Sequence, residues 1–109
     1  MATVIWTESA QAEKREFYRQ GFLEFGRTIA NKTNQKIEAI ENDLAKHPKV
    51  GYLEPLLKSA AIQYRSKHIN KRYKLIYRYE ESSDIVYIED IWDTRRAPQN
   101  LTKRITNKE

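Results

Sequence analysis

The chain has 109 residues, with 20 Lys and Arg against 15 Asp and Glu, a formal charge of +5 and a pI near 9.5. That length holds one domain over 1–109 with a modest core, which excludes enzymes built from separate cofactor and substrate domains. The absence of Cys excludes a disulfide framework and any thiolate nucleophile or thiolate metal site, and the longest apolar run, Ile85 to Ile88, is far too short to span a membrane.

Met1 to Thr7 has neither a basic n-region nor a long apolar stretch, so a cytoplasmic protein is expected. Thr3 to Thr7 reads as a short strand carrying Val4, Ile5 and Trp6, with Thr7 or Ser9 placed to cap a helix. From Ser9 to Phe25 the positions Ala10, Glu13, Phe17, Gly21 and Phe25 step by three or four, as on one face of a helix. Gly26 breaks the pattern. From Arg27 to Lys46, Ile29, Thr33, Ile37, Ile40 and Leu44 define a second helix, closed by His47 and Pro48. The two helices are expected to form a hairpin.

Lys49 to Ser59 reads as a loop anchored by Tyr52, Leu53, Leu56 and Leu57. Three strands follow as a meander: Ala60 to His68, Arg72 to Glu80 and Asp84 to Trp92, with turns at Ile69 to Lys71 and Glu81 to Ser83. In the middle strand Tyr73, Leu75, Tyr77 and Tyr79 alternate with Lys74, Ile76 and Arg78, giving an aromatic face suited to cover the helices and a basic face opposite. Pairing Ile69 with Arg72 would set Lys67 opposite Lys74 and Arg65 opposite Ile76, gathering Arg65, Lys67, Lys74 and Arg78 on one face. The expected architecture is therefore α+β, in the order β-α-α-β-β-β, with the helix hairpin packed on a four-stranded, mostly antiparallel sheet.

The charge is unevenly spread. Met1 to Leu57 is neutral in sum, whereas the second half alternates a basic block, an acidic block from Glu80 to Asp93, and a basic tail with Arg95, Arg96, Lys103, Arg104 and Lys108. Clustered cations concentrate anionic partners and are the footprint of nucleic-acid binding; the competing reading pairs them with acids of the next strand. Two His without metal-ligand spacing and scattered carboxylates suggest no metal and no cofactor.

This order of elements, with the strings HPKVG, YRSKHINKRYKLIYRY and IWDTRRAPQNL, resembles the RelE/ParE superfamily of bacterial toxins. The specific parts are Tyr73-Lys74-Leu75-Ile76-Tyr77-Arg78 and Asp93-Thr94-Arg95-Arg96-Ala97-Pro98. The resemblance implies the toxin of a type II toxin-antitoxin pair, held in a hetero-oligomer by a small cognate antitoxin, with no membrane and no small-molecule substrate. It implies two targets. RelE-like members cut messenger RNA on the ribosome, and there Arg65, Lys67 and Lys74 match the basic places of the central strands and are the candidate catalytic residues. Cleavage by a 2′-hydroxyl also needs a proton acceptor and a proton donor. The family's C-terminal Tyr falls here near Asn100 and Leu101, which transfer no proton, and strand parity separates Tyr64 and His68 from Arg65 and Lys67. ParE-like members poison DNA gyrase through a basic C-terminal region, which Arg95 and Arg96 before Pro98 resemble more closely. The favoured expectation is gyrase inhibition, with the ribonuclease and a non-toxic nucleic-acid or protein binding module as alternatives.

Overall fold

A computed structural model describes residues 1–107. Its elements in chain order are β1 (Thr3–Trp6), α1 (Glu8–Phe25), α2 (Arg27–Lys46), β2 (Tyr52–Leu53), a 3-10 turn over Pro55–Leu57, β3 (Arg65–His68), β4 (Tyr73–Glu80), β5 (Ile85–Asp93) and α3 (Pro98–Thr106). The five strands form one sheet in the order β1-β5-β4-β3-β2, with β1 parallel to β5 and the other neighbours antiparallel. No helix among the described residues is long and apolar enough to cross a membrane.

Local chemistry sets the helix boundaries. The Thr7 side chain accepts the Ala10 amide at 3.2 Å and caps α1, while Gly26, at φ 85°, makes the sharp link into α2 that a side chain would strain. Ala10, Ile37, Ile40 and Leu44 bury the hairpin against Leu75, Tyr77, Val86, Ile88 and Ile91 on one face of the sheet. The expected helical stripe continues to Phe25 and Ile29, but these end exposed (61% and 46%), because the hairpin tip packs on no strand.

Three expectations need correction. The sheet has five strands rather than four, because Tyr52–Leu53, inside the expected loop, pairs with Ser66 and Arg65. The strand expected from Ala60 starts only at Arg65, since the chain first bends so that the Tyr64 carbonyl can receive the Glu54 amide at 2.9 Å. The register also differs by one residue. The Asn70 side-chain oxygen accepts the amides of Arg72 and Tyr73, each at 2.9 Å, and Ile69 donates to the Tyr73 carbonyl at 2.9 Å. The turn therefore closes on Ile69 and Tyr73, which places Lys67 opposite Leu75 and His68 opposite Lys74.

The second sheet face, expected to be basic and with no helix in the expected order to cover it, carries its own core. Leu101 and Ile105 of α3 bury against Trp92, Ile76, Tyr64 and Leu57. Lys108 and Glu109, part of the expected basic tail, lie outside the described residues. Gly51 marks the tightest approach: a Cβ there would meet the Ser66 carbonyl at 2.6 Å and the Tyr77 hydroxyl at 2.7 Å.

Leu101→Ala should cost about 2–5 kcal/mol by deleting a fully buried anchor of α3. Chemical denaturation of the variant beside the parent chain checks it, and a loss below about 1 kcal/mol would mean that α3 contributes little to this core.

Candidate functional site

The one-residue change in register separates the four cations expected on one face. Arg65 and Lys67 stand opposite Tyr77 and Leu75, toward the helix hairpin, whereas Lys74 and Arg78 point with Ile76 toward α3. The structure does not bring them together as one basic patch.

Each is engaged inside the molecule. Arg65 Nη1 donates to the carbonyls of Gly51 at 2.8 Å and Lys49 at 3.2 Å, and Lys67 Nζ sits 3.8 Å from the Asp43 carboxylate of α2. Lys74, with its side chain 8% exposed, forms an ion pair with the fully buried Glu54 side chain. Glu54 also receives the Ser66 hydroxyl at 2.6 Å and the Leu56 amide at 2.9 Å. Burial alone pushes the Glu54 carboxyl up, and the bonds from Lys74, Ser66 and Leu56 outweigh it, so the group titrates below its ordinary value. Arg78 lies 4.0 Å above the Tyr87 ring and 3.7 Å from Glu89.

A β-bulge explains where Glu89 comes from. Between Ile76 and Tyr77 the partner residue on β5 jumps from Asp90 to Ile88, leaving Glu89 as the extra residue. Glu89 and Asp90 are both buried, and Asp90 receives Arg104 of α3 at 2.7 Å. Arg104 also reaches Glu13 of α1 at 2.7 Å, joining the helix layers on the two sides of the sheet.

Arg95 and Arg96 sit in the turn after β5. Arg95 makes a bidentate bond to Asp93 at 3.2 and 3.1 Å, and its amide donates to the same carboxylate at 3.0 Å. Arg96, also exposed, lies 5.0 Å from the Trp92 ring centroid. Beside this turn a groove of about 400 Å³ opens between the helices, lined by Phe17, Phe25, Ile29, Tyr73 and Ile91, with Arg72, Asp93 and Arg96 from the strand ends. The same rim carries Lys14 and the acids Glu13, Glu16 and Glu24, and an apolar groove bordered by charges of both signs suits an amphipathic segment.

Sequence reasoning missed Glu54, the pair Tyr52 and His68, and the bridging role of Arg104. Tyr52 lies within hydrogen-bond distance of His68 Nε2 at 2.9 Å, and the two rings stack with centroids 5.7 Å apart. The signal for Glu54 was present: it is the lone acid between Lys46 and Lys74. The positions of Tyr52 and Arg104 depend on pairings that span the chain. Among the described residues no group of three or more His, Asp or Glu side chains is gathered in a way that could hold a metal ion.

The family model of the ParE toxin of type II toxin-antitoxin systems, parDE, matches residues 4–98. No curated protein matches the sequence. Among solved structures the chain is similar to the chromosomal ParDE TA system from P. aeruginosa, at 20% identity and TM-score 0.67, covering 85% of this chain and 96% of that one. It is also similar to a metal-bound toxin from Helicobacter pylori, at 14% identity and TM-score 0.62, covering 86% and 96%. The isolated E. coli RelE toxin aligns over 100% of both chains at 14% identity and TM-score 0.56. At such identities the likeness to these structures is one of fold.

Replacing Lys74 by Ala should cost about 3–5 kcal/mol, because it strands the Glu54 carboxylate in the interior. Since Glu54 titrates below its ordinary value of 4.5, the stability it contributes is complete above that pH and is lost as pH falls through the folded-state value. Melting temperatures across that acid range should fall less steeply for Glu54→Gln than for the parent chain, and parallel curves would refute the assignment.

Proposed function

The chain belongs to the ParE toxin family of type II toxin-antitoxin systems, and from that premise we propose that it arrests growth as a ParE-like inhibitor of DNA gyrase. It acts by binding rather than by cutting a nucleic acid. The observation that carries this reading is the internal engagement of the central-strand cations. A nuclease of the RelE kind needs cations free to stabilise charge on a scissile phosphate. Here Lys74 is paired with buried Glu54, Lys67 with Asp43 and Arg78 with Glu89, while Arg65 holds backbone carbonyls. Near the place where the resemblance puts the C-terminal Tyr of RelE-like enzymes stand Asn100, exposed, and Leu101, fully buried, and neither has a proton to give.

Arg95 and Arg96 are exposed in a turn stiffened by Asp93, beside the apolar groove. Arg96 has no carboxylate partner among the described residues and Arg95 would exchange Asp93 for its target; a cation on a fixed backbone loses little freedom when it meets an acidic partner surface, which supports a role for the two as target-binding cations. The antitoxin is the other partner. ParDE and RelBE are the toxin-antitoxin systems named for the similar structures, and the groove between the helices supplies the apolar seat that such a partner needs.

One feature favours ribosome-dependent cleavage instead. Tyr52 and His68 form a hydrogen-bonded pair, and the Tyr52 ring centroid lies 5.9 Å from Lys74 Nζ, which would supply a proton-transfer couple beside a cation.

Purified chain added to a gyrase supercoiling reaction should inhibit it, and Arg95→Ala with Arg96→Ala should weaken inhibition by at least about tenfold, the loss of roughly 1.4 kcal/mol of contact energy. Undiminished supercoiling, together with message cleavage on added ribosomes that disappears in His68→Ala, would overturn the gyrase reading in favour of the nuclease.

A further inference from the structure

At the tip of the helix hairpin every residue from Phe22 to Ile29 is exposed, and four of them, Phe22, Leu23, Phe25 and Ile29, are large and apolar. Leu23 is 68% exposed and Phe22 40%. Tyr18, 37% exposed, extends the patch, with its ring centroid 6.4 Å from that of Phe22. At about 200 Å² for a whole side chain of this size, the five leave roughly 500 Å² of apolar surface in water, toward the upper end of a single patch on a monomeric protein.

Gly21 points to the same place. It stands inside α1 between Tyr18 and Phe25, where Gly weakens a helix relative to Ala. No neighbour among the described residues requires it, since a Cβ built there meets no atom within 4 Å. A Gly over open space admits another backbone closely.

Charge selects the occupant. From Glu8 to Lys46 the two helices hold seven acidic and seven basic side chains, so the chain's excess of +5 lies outside them. An acidic or a basic partner finds no net attraction on such a surface, whereas a second copy meets no net repulsion. Glu24 and Arg27 stand on either side of Gly26, both exposed and neither with an ion-pair partner among the described residues. A two-fold axis passing between two such turns sets Glu24 of each copy beside Arg27 of the other, because an isologous contact is made twice.

We propose that the chain on its own forms a two-fold dimer through its hairpin tips. Phe22, Leu23, Phe25 and Ile29 of the two copies pack together, Gly21 lets the partner helix approach, and the reciprocal pairs of Glu24 with Arg27 set the register. With the polar side chains around them, the apolar patches approach the roughly 800 Å² per partner of a standard interface. Phe25 and Ile29 also line the groove described above, so a partner seated in that groove and a second copy at the tip exclude one another.

The test needs neither gyrase nor ribosomes, so its result does not depend on which target the chain has. Sedimentation equilibrium of the full chain, purified without a partner, should show a dimer at micromolar concentration. Phe25→Glu, at an exposed position, should make it monomeric with an unchanged circular dichroism spectrum, and Gly21→Leu should weaken the dimer although Leu favours the helix. Glu24→Lys alone and Arg27→Glu alone should each weaken dimerisation by about tenfold, and the two together should restore it. This swap touches only exposed side chains and keeps the proposal testable even if Phe25→Glu or Gly21→Leu fails to fold. A monomer throughout a concentration series reaching millimolar, a dimer unchanged by a folded Phe25→Glu, or a double charge variant as weak as the sum of the single ones would each overturn the proposal.

Discussion

Two hydrogen bonds to the Asn70 side chain decide where the cations of the central sheet end up. By accepting the amides of Arg72 and Tyr73, Asn70 closes the turn between β3 and β4 on Ile69 and Tyr73. A turn closed one residue earlier would turn β3 over, because side chains alternate faces with a period of two. Ile69 would then leave the core, and Arg65 and Lys67 would face α3 beside Lys74. In the register observed, Lys67 reaches Asp43 on α2 and Arg65 holds the loop carbonyls before β2, while Ser66 joins Glu54 and Lys74 on the opposite face. The short range of the Asn70 bonds explains their authority: they fix the turn before any long-range contact must form.

The face under α3 combines a small apolar core with buried charge. Leu101, Ile105, Trp92 and Ile76 supply the burial, and Lys74 with Glu54, and Arg104 with Asp90, lie at or next to it. Buried ion pairs of this kind contribute little net stability against apolar replacements, yet breaking one is costly. Their effect is directional. Arg104 reaches Asp90 and Glu13 together only when α3 lies across the sheet in this orientation, so its charge selects one docking geometry from those the apolar contact alone would allow. The bulge at Glu89 makes this possible by setting two acids in succession on β5 to meet Arg78 and Arg104.

Much of the fold was legible from short-range signals. The helix from Arg27 to Lys46 follows from its apolar spacing and from His47 and Pro48, and the alternation of Tyr73, Leu75, Tyr77 and Tyr79 identifies the face of β4 that meets the helices. The Asp93 to Pro98 string marks the end of the last strand, whereas the helix that follows it, α3, was not among the expected elements. What escaped the sequence depends on pairing at a distance. Tyr52 and Leu53 form a strand only because Ser66 and Arg65 lie beside them, and two residues carry no periodicity of their own. The face opposite the hairpin had no helix to cover it in the expected order because Leu101 and Ile105, four residues apart in a polar tail, are too few to announce a core without Trp92 and Tyr64 opposite. The candidate site suffered most, since a single residue of register changes every neighbour of a strand cation.

Net charge and available charge are consequently different quantities in this molecule. Lys67, Lys74 and Arg78 contribute to the formal excess, yet each has a carboxylate partner that reduces its field outside the protein. Paired charges present a dipole, whose field fades faster with distance than that of a lone charge. The acids that neutralise the central sheet leave the positive field to its margins: Lys58 just after the 3-10 turn that follows β2, and Arg96 just before α3. Both margins also carry exposed apolar surface, Leu53 and Ile62 at the first and the groove with Phe25 and Ile29 at the second. Unpaired charge and desolvation therefore act at the same two places, which is the condition for a surface that both steers a partner and retains it.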